Sequence, residues 1–169
     1  MVKNGVDAVP FQHANLDTWR ANFTGVSCVN PETNFELFGA VDDLWIDNQT
    51  EEVIVVDYKA TSKNSEVTLN ADWQITYKRQ MEFYQWLLRQ NGLNVSDTGY
   101  FVYCSGIRNR DRFDARLDFS IKLIPYTGSD AWVGGAIRGA FSILNSSEIP
   151  QPSIECEFCD YVSDVVSAM

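Results

Sequence analysis

Two residues at the end of an apolar run have the types and spacing that could do chemistry. Asp57 and Lys59 close the run at residues 53–60 (VIVVDYKA) and stand two positions apart. If the run is a β-strand, their side chains leave the same face and Tyr58 points to the other. A carboxylate and an ammonium on a buried strand are costly unless they pair or bind something. This pair is therefore a candidate active site.

A second acidic pair, Asp42 and Asp43, lies upstream of that run. Residues 47–50 (DNQT) are typical of a turn, so the segments on either side are predicted to pair as a hairpin. Such a hairpin would bring an upstream carboxylate beside Asp57. Because neighbouring strand residues point to opposite faces, only one of the two upstream carboxylates can join it. Alternation alone leaves open which one.

Two carboxylates and one amine suit the hydrolysis of a phosphodiester. Carboxylate oxygens are the hard ligands that Mg²⁺ and Mn²⁺ prefer, and carbonyls and water complete the shell. A bound divalent cation polarises the phosphate and lowers the pKa of a water molecule. A lysine nearby can orient that water and offset negative charge in the transition state. The residues therefore predict Mg²⁺ or Mn²⁺ as cofactor.

Three short motifs follow one another in an order that resembles a known family. They are Gly39-x-x-Asp42, Asp57-x-Lys59 and, on a predicted helix, Gln80-x-x-x-Tyr84. This order is similar to the core of the PD-(D/E)XK nuclease superfamily, especially its RecB-like exonuclease branch, over about residues 35–88. The resemblance implies a restriction-endonuclease-like fold, dependence on a divalent metal, and DNA as substrate and partner.

The resemblance also implies a role for each matching position. Asp42, rather than Asp43, and Asp57 become metal ligands, and the backbone carbonyl of Tyr58 adds a third oxygen. Lys59 becomes the residue that positions the water. Gln80 becomes a helix residue that supports the lysine or the nucleic acid. Gln80 also has a structural interpretation, as a polar side chain that bonds inside a helix–sheet interface.

Other residues are candidates of weaker standing. Tyr84, Lys78 and Arg79 lie on the same predicted helix and could contact substrate, although a tyrosine on an apolar stripe is more often part of the core. His13, the only histidine, could be an extra metal ligand, as a histidine on an N-terminal helix is in related enzymes. A surface histidine at a helix start is the preferred interpretation.

The C-terminal segment carries Cys156-x-x-Cys159, a spacing that lets two thiolates reach one ion. In some RecB-like exonucleases, C-terminal cysteines join an N-terminal one around an iron–sulfur cluster, which needs four ligands. Cys104 lies in a predicted strand, and neither Cys104 nor Cys28 matches the expected positions. Zinc or a cluster here is thus the less favoured expectation, and an N-terminal portion missing from this chain would have to supply the partner ligands.

The elements that must position these residues follow from hydrophobic periodicity and turn residues. Strands are predicted at residues 35–47, 53–60, 98–105 and 116–125. Helices are predicted at residues 16–23, 72–90 and 130–144, the last with a break near Gly134-Gly135. This order predicts a single α/β (α+β) domain over residues 1–169, with a mixed central sheet flanked by helices.

The chain has 169 residues, 45% of them hydrophobic, and a formal charge of −10. That composition suits a folded domain, and without an apolar run of about 20 residues or a secretory signal we expect an intracellular, cytoplasmic protein and no membrane partner. The acidic charge opposes DNA binding, since phosphate contacts need basic residues. Some basic residues do cluster, at Lys78, Arg79 and Arg89 and at Arg108, Arg110, Arg112 and Arg116.

Three functions remain open at this point. The first is a metal-dependent deoxyribonuclease, an exonuclease by resemblance. The second is a catalytically weak module that binds DNA or a protein partner in a repair, recombination or phage complex. The third is an unrelated α/β protein in which Lys59 simply pairs with Asp57. The distance between the Asp42 and Asp57 carboxyl groups separates the third from the other two.

Overall fold

The computed structural model describes residues 5–63, 65–109, 112 and 115–168. The chain divides into two compact units, Met1–Val133 and Gly134–Met169. All strands and both candidate carboxylates lie in the first unit, so the fold is described there, and the expectation of one domain over the whole chain stays a prediction. Among the described helices, none has the length and apolar character needed to cross a membrane.

The first unit is built on a five-stranded mixed sheet. Its strands are β1 (Ala8–Pro10), β4 (Asp43–Asp47), β5 (Val53–Thr61), β6 (Thr98–Ile107) and β7 (Asp118–Thr127). They pair in the order β1-β4-β5-β6-β7, antiparallel except for the parallel pair β5–β6. A separate antiparallel pair consists of β2 (Val26–Val29) and β3 (Glu36–Gly39).

In the first unit, the described helices are α1 (Leu16–Arg20) and α2 (Ile75–Gln90). Helix α3 (Val133–Leu144) begins at the last residue of that unit, and α4 (Glu157–Ser167) belongs to the second unit. A short 3₁₀ turn, Asp72–Gln74, leads into α2. The mixed sheet with accompanying helices confirms the predicted α/β (α+β) class and is consistent with a restriction-endonuclease-like fold.

The central strand β5 is buried on both faces, as its apolar run predicts. Val53 and Val55 belong to the larger core, which α2 covers with Met81 and Leu87. Val56, on the opposite face, belongs to a smaller core. Burial of each such side chain contributes about 1.5–3 kcal/mol, so β5 and α2 form a rigid support for whatever β5 carries at its end.

The prediction of one strand at residues 35–47 is wrong. The segment forms β3 and β4, which belong to different sheets. Between them the chain turns through Val41, which is 1% exposed and whose N–H donates to the carbonyl of Trp19 at 3.1 Å. A buried side chain and a backbone bond to α1 therefore take this turn out of the sheet, which local propensity does not reveal.

Two helix boundaries also differ from prediction. Helix α1 ends at Arg20 instead of residue 23, and Gly25, with a φ of +62°, donates its N–H to the carbonyl of Ala21 at 2.9 Å. Helix α3 begins at Val133 instead of residue 130 and continues through Gly134, so the predicted break there is wrong. The sequence also gave no indication of β1 or α4.

Gly25 and Gly92 offer a matched test of how closely the backbone at Gly25 approaches that at Gly39. Both have positive φ, but a Cβ on Gly25 would lie 2.6 Å from the carbonyl oxygen of Gly39, whereas one on Gly92 would meet nothing within 4 Å. We expect Gly92→Ala to lower the free energy of unfolding by about 1 kcal/mol from strain alone, and Gly25→Ala by about 3 kcal/mol. Urea denaturation measures both, and equal losses would contradict the close approach of these two segments.

Candidate active site

Asp57 and Lys59 project from β5 toward α2. Asp57 is 3% exposed, and its Oδ2 lies 2.5 Å from the Lys59 Nζ. The same ammonium lies 4.3 Å from the centroid of the Tyr77 ring, which α2 supplies. Tyr58 points to the opposite face, as alternation predicts. The carboxylate and ammonium are thus a close ion pair held between the end of a central strand and a helix.

Asp42 joins this pair from the segment just before β4. Pairing of β4 with β5 stops at Asp43 opposite Val56, so β5 runs on past the end of its neighbour. The Tyr58 N–H on that side donates to the Asp42 Oδ2 at 2.8 Å. Asp42 therefore caps a strand edge that β4 leaves open, and its carboxyl group lies beside that of Asp57.

The electrostatics of Asp57 follow from this crowding. Burial raises the pKa of its carboxyl group to about 6; Lys59 pulls the pKa down, and Asp42 pushes it further up. Asp42 adds a second carboxylate beside the buried Asp57–Lys59 pair, which leaves an excess of negative charge around Asp57. An excess of negative charge among hard oxygen donors is the environment that a divalent cation would relieve.

Asp43, the other upstream carboxylate, faces away from this cluster. Its Oδ2 accepts the Tyr58 hydroxyl at 2.7 Å, and its Oδ1 accepts the Leu44 N–H at 2.9 Å. Arg20 forms an ion pair with the same carboxylate. Burial, and then Asp43, raise the pKa of the Tyr58 hydroxyl to about 12. Asp42 and Asp43 thus occupy opposite faces, and Asp42 is the one beside Asp57.

Helix α2 presents Gln80 and Tyr84 to the cluster. The Gln80 Nε2 donates to the Tyr84 hydroxyl at 2.8 Å, an i to i+4 contact on one helix face. Burial raises the pKa of the Tyr84 hydroxyl, the bond from Gln80 lowers it, and the charges of Asp57 and Asp42 raise it. The hydroxyl therefore lies within electrostatic reach of both carboxylates.

The glycine of the first motif makes room for that tyrosine. A Cβ at Gly39 would lie 2.7 Å from Cε1 of the Tyr84 ring. Since Tyr84 is 9% exposed and belongs to the larger core, it has little freedom to move aside. The three motifs that are distant in sequence thus meet around one tyrosine.

Lys78 and Arg79 point elsewhere. The Lys78 Nζ lies 5.9 Å from the Tyr126 ring centroid, and the Arg79 guanidinium carbon lies 5.8 Å from the Trp132 ring centroid. These rings belong to β7 and to the segment after it, so neither cation is placed with the carboxylate cluster. Both remain candidates for substrate contact, but away from the carboxylate cluster.

The Arg89 side chain forms bonds within the protein. Its guanidinium bonds Asp130 at 2.7 Å, Asp97 at 2.6 Å and the Val95 carbonyl at 2.9 Å. Of the predicted arginine-rich stretch, Arg110 lies outside the described residues.

His13 lies at the start of α1, where its Nδ1 accepts the Asn15 N–H at 3.1 Å. Its ring stacks between Phe11 and Trp19, with centroids 5.9 Å and 4.3 Å away. One ring nitrogen is therefore occupied by the helix start, and the geometry agrees with the structural interpretation of His13.

Cys156 and Cys159 belong to the second unit. Cys156 directly precedes α4. A bond from the Cys159 thiol, helped by backbone N–H groups of Cys159 and Phe158, lowers the pKa of Cys156. The two sulfurs are close neighbours, as the spacing predicts. Cys28 and Cys104 lie in strands of the first unit.

Within the described part of the chain, no three His, Cys, Asp or Glu side chains gather into a group able to hold a metal. Asp42 and Asp57 are two carboxylates, and Mg²⁺ is commonly held by one or two carboxylates with several waters. The donor set therefore fits a hydrated divalent cation.

Tyr77 is a site residue that periodicity alone assigns to the core. It covers the Lys59 ammonium, and its ring also meets Trp73 at 5.3 Å between centroids. Its position three residues before Gln80, on the same helix face, is the signal that could have placed it here.

The chain was compared with models of known protein families. Residues 7–163 match the model of the PD-(D/E)XK nuclease superfamily. No curated protein matches the chain.

The raised pKa of Asp57 should make the stability of the metal-free protein, measured in EDTA, depend on pH. The folded pKa of about 6 exceeds the ordinary value of 3.8. Between about pH 4 and 6, Asp57 is therefore protonated in the folded protein but already ionised in the unfolded chain. Stability should fall across that window by up to about 3 kcal/mol. Asp57→Asn should remove the fall, and so be more stable than the wild type at pH 7 but not at pH 4.

Urea midpoints at four pH values between 4 and 7 measure this difference. Asp47→Asn is a control of opposite sign, because backbone N–H groups of Thr50 and Gln49 lower the pKa of Asp47. That substitution should reduce stability at pH 7 and lose its effect as the pH falls. A wild-type midpoint that rises from pH 4 to 6 would contradict the assigned environment of Asp57.

Proposed function

Because the chain belongs to the PD-(D/E)XK nuclease superfamily, we propose that it is a metal-dependent deoxyribonuclease with Asp42, Asp57 and Lys59 at its active site. One observation carries this proposal. Two carboxylates and an ammonium from separate sequence motifs converge on one face of β5, at an edge that β4 leaves uncovered. The match to the superfamily supplies the reaction class, phosphodiester hydrolysis.

The donor set for Mg²⁺ or Mn²⁺ would be the carboxylates of Asp42 and Asp57 with the Tyr58 carbonyl. The N–H and C=O of one strand residue point to the same side, so the Tyr58 carbonyl lies on the edge where Asp42 sits. When bound, a divalent cation supplies phosphate polarisation and a water of lowered pKa. Occupation of the site would also hold both carboxyl groups in the ionised form.

Lys59 is the group that orients the nucleophile. Its side chain is 17% exposed, and the Tyr77 ring and the Asp57 carboxylate restrict where its ammonium can go. A lysine has three donors, so one can stay with Asp57 while another holds a water or a phosphate oxygen. Positive charge in a largely dry position stabilises developing negative charge more than it would in water.

Gln80 and Tyr84 act as positioning residues in this proposal. The bond from Gln80 uses an acceptor site of the Tyr84 oxygen and leaves the tyrosine's own proton available for donation. A hydroxyl proton near two carboxylates can bond one of them or a substrate phosphate oxygen.

Exonuclease action and a role in DNA repair or recombination are the finer parts of the proposal, and the RecB-like order of motifs supports them. A second candidate, a catalytically weak module that binds DNA or a partner protein, is favoured by one observation. Only two carboxylates gather with Lys59 in the described part of the chain, in a protein of charge −10.

A cleavage assay separates the two candidates. Purified protein with millimolar Mn²⁺ or Mg²⁺ should degrade labelled linear DNA. Asp57→Asn or Lys59→Ala should reduce the rate of cleavage by at least about a hundredfold. EDTA should stop the reaction.

Asp43→Asn is the matched control, since its carboxylate neighbours Asp42 in sequence but faces the other side of the sheet. It should keep most of the wild-type rate, with folding verified by circular dichroism. Folded wild-type protein that leaves single- and double-stranded DNA intact with both metals would overturn catalysis and favour the binding module.

Tyr84→Phe tests the helix motif. Removal of the hydroxyl leaves the ring that fills the space over Gly39, so the core should be unchanged while the hydroxyl's contribution to the site is lost. We expect roughly a tenfold lower kcat with a stability change below about 1 kcal/mol. Full activity, or a large loss of stability, would contradict the positioning role.

A further inference from the structure

A cavity of about 250 Å³ opens directly beside Lys59. Three aromatic rings line it, from Trp73, Tyr77 and Tyr103, and Lys63 is also among its lining residues. It is smaller than the roughly 300–1,000 Å³ of sites for drug-sized ligands, so it suits one planar group of the size of a nucleobase. Its wall includes the lysine of the proposed active site.

Trp73 is the ring most open to a ligand. It is 53% exposed, although an indole normally gains by burial. It meets Tyr77 edge-on, with planes at 82°, and the Lys63 ammonium lies 5.5 Å from its centroid. An exposed ring beside a lysine matches what a strand of nucleic acid requires, since a base can stack while the cation meets the adjacent phosphate.

The wall that carries Trp73 is fixed. The neighbouring Gln74 side chain, 4% exposed, accepts the Ala71 N–H at 2.9 Å and donates to the Thr68 carbonyl at 2.7 Å. Both bonds tie the loop before the 3₁₀ turn to the start of α2. The aromatic wall is therefore preformed, which lowers the entropic cost of binding.

Two further cavities continue from the first. One of about 300 Å³ shares Lys63 and Tyr103 with it, and the next, of about 180 Å³, shares Lys63 and ends at Arg108. Lys122 also lines the middle cavity, where it bonds the acidic Glu66 at 2.7 Å. In a chain of charge −10, this basic line of cavities, the Lys59–Arg108 track, stands out.

We propose that the Lys59–Arg108 track binds the unpaired end of a DNA single strand, with one base stacked on Trp73 and the adjacent phosphate on Lys63. The assignment rests on the proposed function, because the track begins at Lys59. A duplex keeps its base faces stacked inside the helix, whereas an unpaired strand can offer one to a ring. The preferred substrate is therefore a single strand or a frayed end.

Binding in EDTA tests the track without cleavage. Fluorescence anisotropy compares a labelled 12-nucleotide oligodeoxythymidine with a duplex of 12 base pairs. We expect Trp73→Ala to weaken binding of the single strand about tenfold, at the lower end for one stacked base, and Trp73→Phe to restore most of it. The wild type should bind the duplex at least about tenfold more weakly.

A charge control separates the track from general electrostatics. Lys63→Ala should reduce the slope of log affinity against log salt by about 0.7, the value for one phosphate contact on a single strand. Arg20→Ala removes the same charge from α1, where Arg20 pairs with Asp43 and lines none of these three cavities, and should leave the slope nearly unchanged.

The outcomes distinguish the track from the nuclease proposal. Binding that is unaffected by Trp73→Ala, or equal affinity for duplex and single strand, would overturn the track even if the protein cleaves DNA. Trp73-dependent binding by a protein that cleaves nothing with Mn²⁺ would uphold the track and overturn the nuclease.

Discussion

The site depends on a buried carboxylate with too little positive charge around it. Asp57 is nearly inaccessible to water, has one ammonium at 2.5 Å and has a second carboxylate beside it. Removing charges from water costs free energy that an ion pair repays only with good geometry. The protein holds this arrangement because a rigid strand and helix enclose it, and the arrangement is most stable when a cation or a proton joins it.

The sheet creates the place for that charge by ending one strand early. If β4 paired with β5 beyond Val56, the Tyr58 N–H would bond a strand and Asp42 would have no such anchor. The turn through Val41, tied to α1 by the Trp19 carbonyl, stops that pairing. The early end of the β4–β5 pairing thus leaves backbone groups of β5 unpaired by a strand, and it places the Asp42 carboxylate at the same edge.

Helix α2 both packs against the core and supplies side chains to the site, and its helical periodicity accommodates both sets of residues. Met81 and Leu87 seal the core, whereas Tyr77, Gln80 and Tyr84 present polar atoms or ring faces to the cluster. Because positions three and four apart share a helix face, apolar packing sets the orientation of the polar groups. The core and the site are therefore not independent, and the glycine opposite Tyr84 belongs to both.

The chain's acidic charge is compatible with nucleic-acid binding only if basic groups are concentrated. Arg89 and Arg20, which a count of charges would credit to DNA, are bound to aspartates. Lys63 and Arg108, which no sequence motif links, line one cavity. The local position of basic side chains, and not the net charge of the chain, thus determines where a phosphate group can bind.

Four features can be predicted from the residues alone: the alternation that puts Asp57 and Lys59 on one face, the hairpin turn, the long helix and the order of motifs that indicates the superfamily. These are local patterns, which periodicity records directly. Three other features are evident only once the chain is folded. They are the split of residues 35–47 into two sheets, the burial of Glu82, which accepts bonds from Tyr126 and Trp132 at 2.6 and 2.7 Å, and the cavity beside Lys59. Each depends on contacts between segments far apart in the chain, and such contacts override local propensity because burial and hydrogen bonding outweigh it.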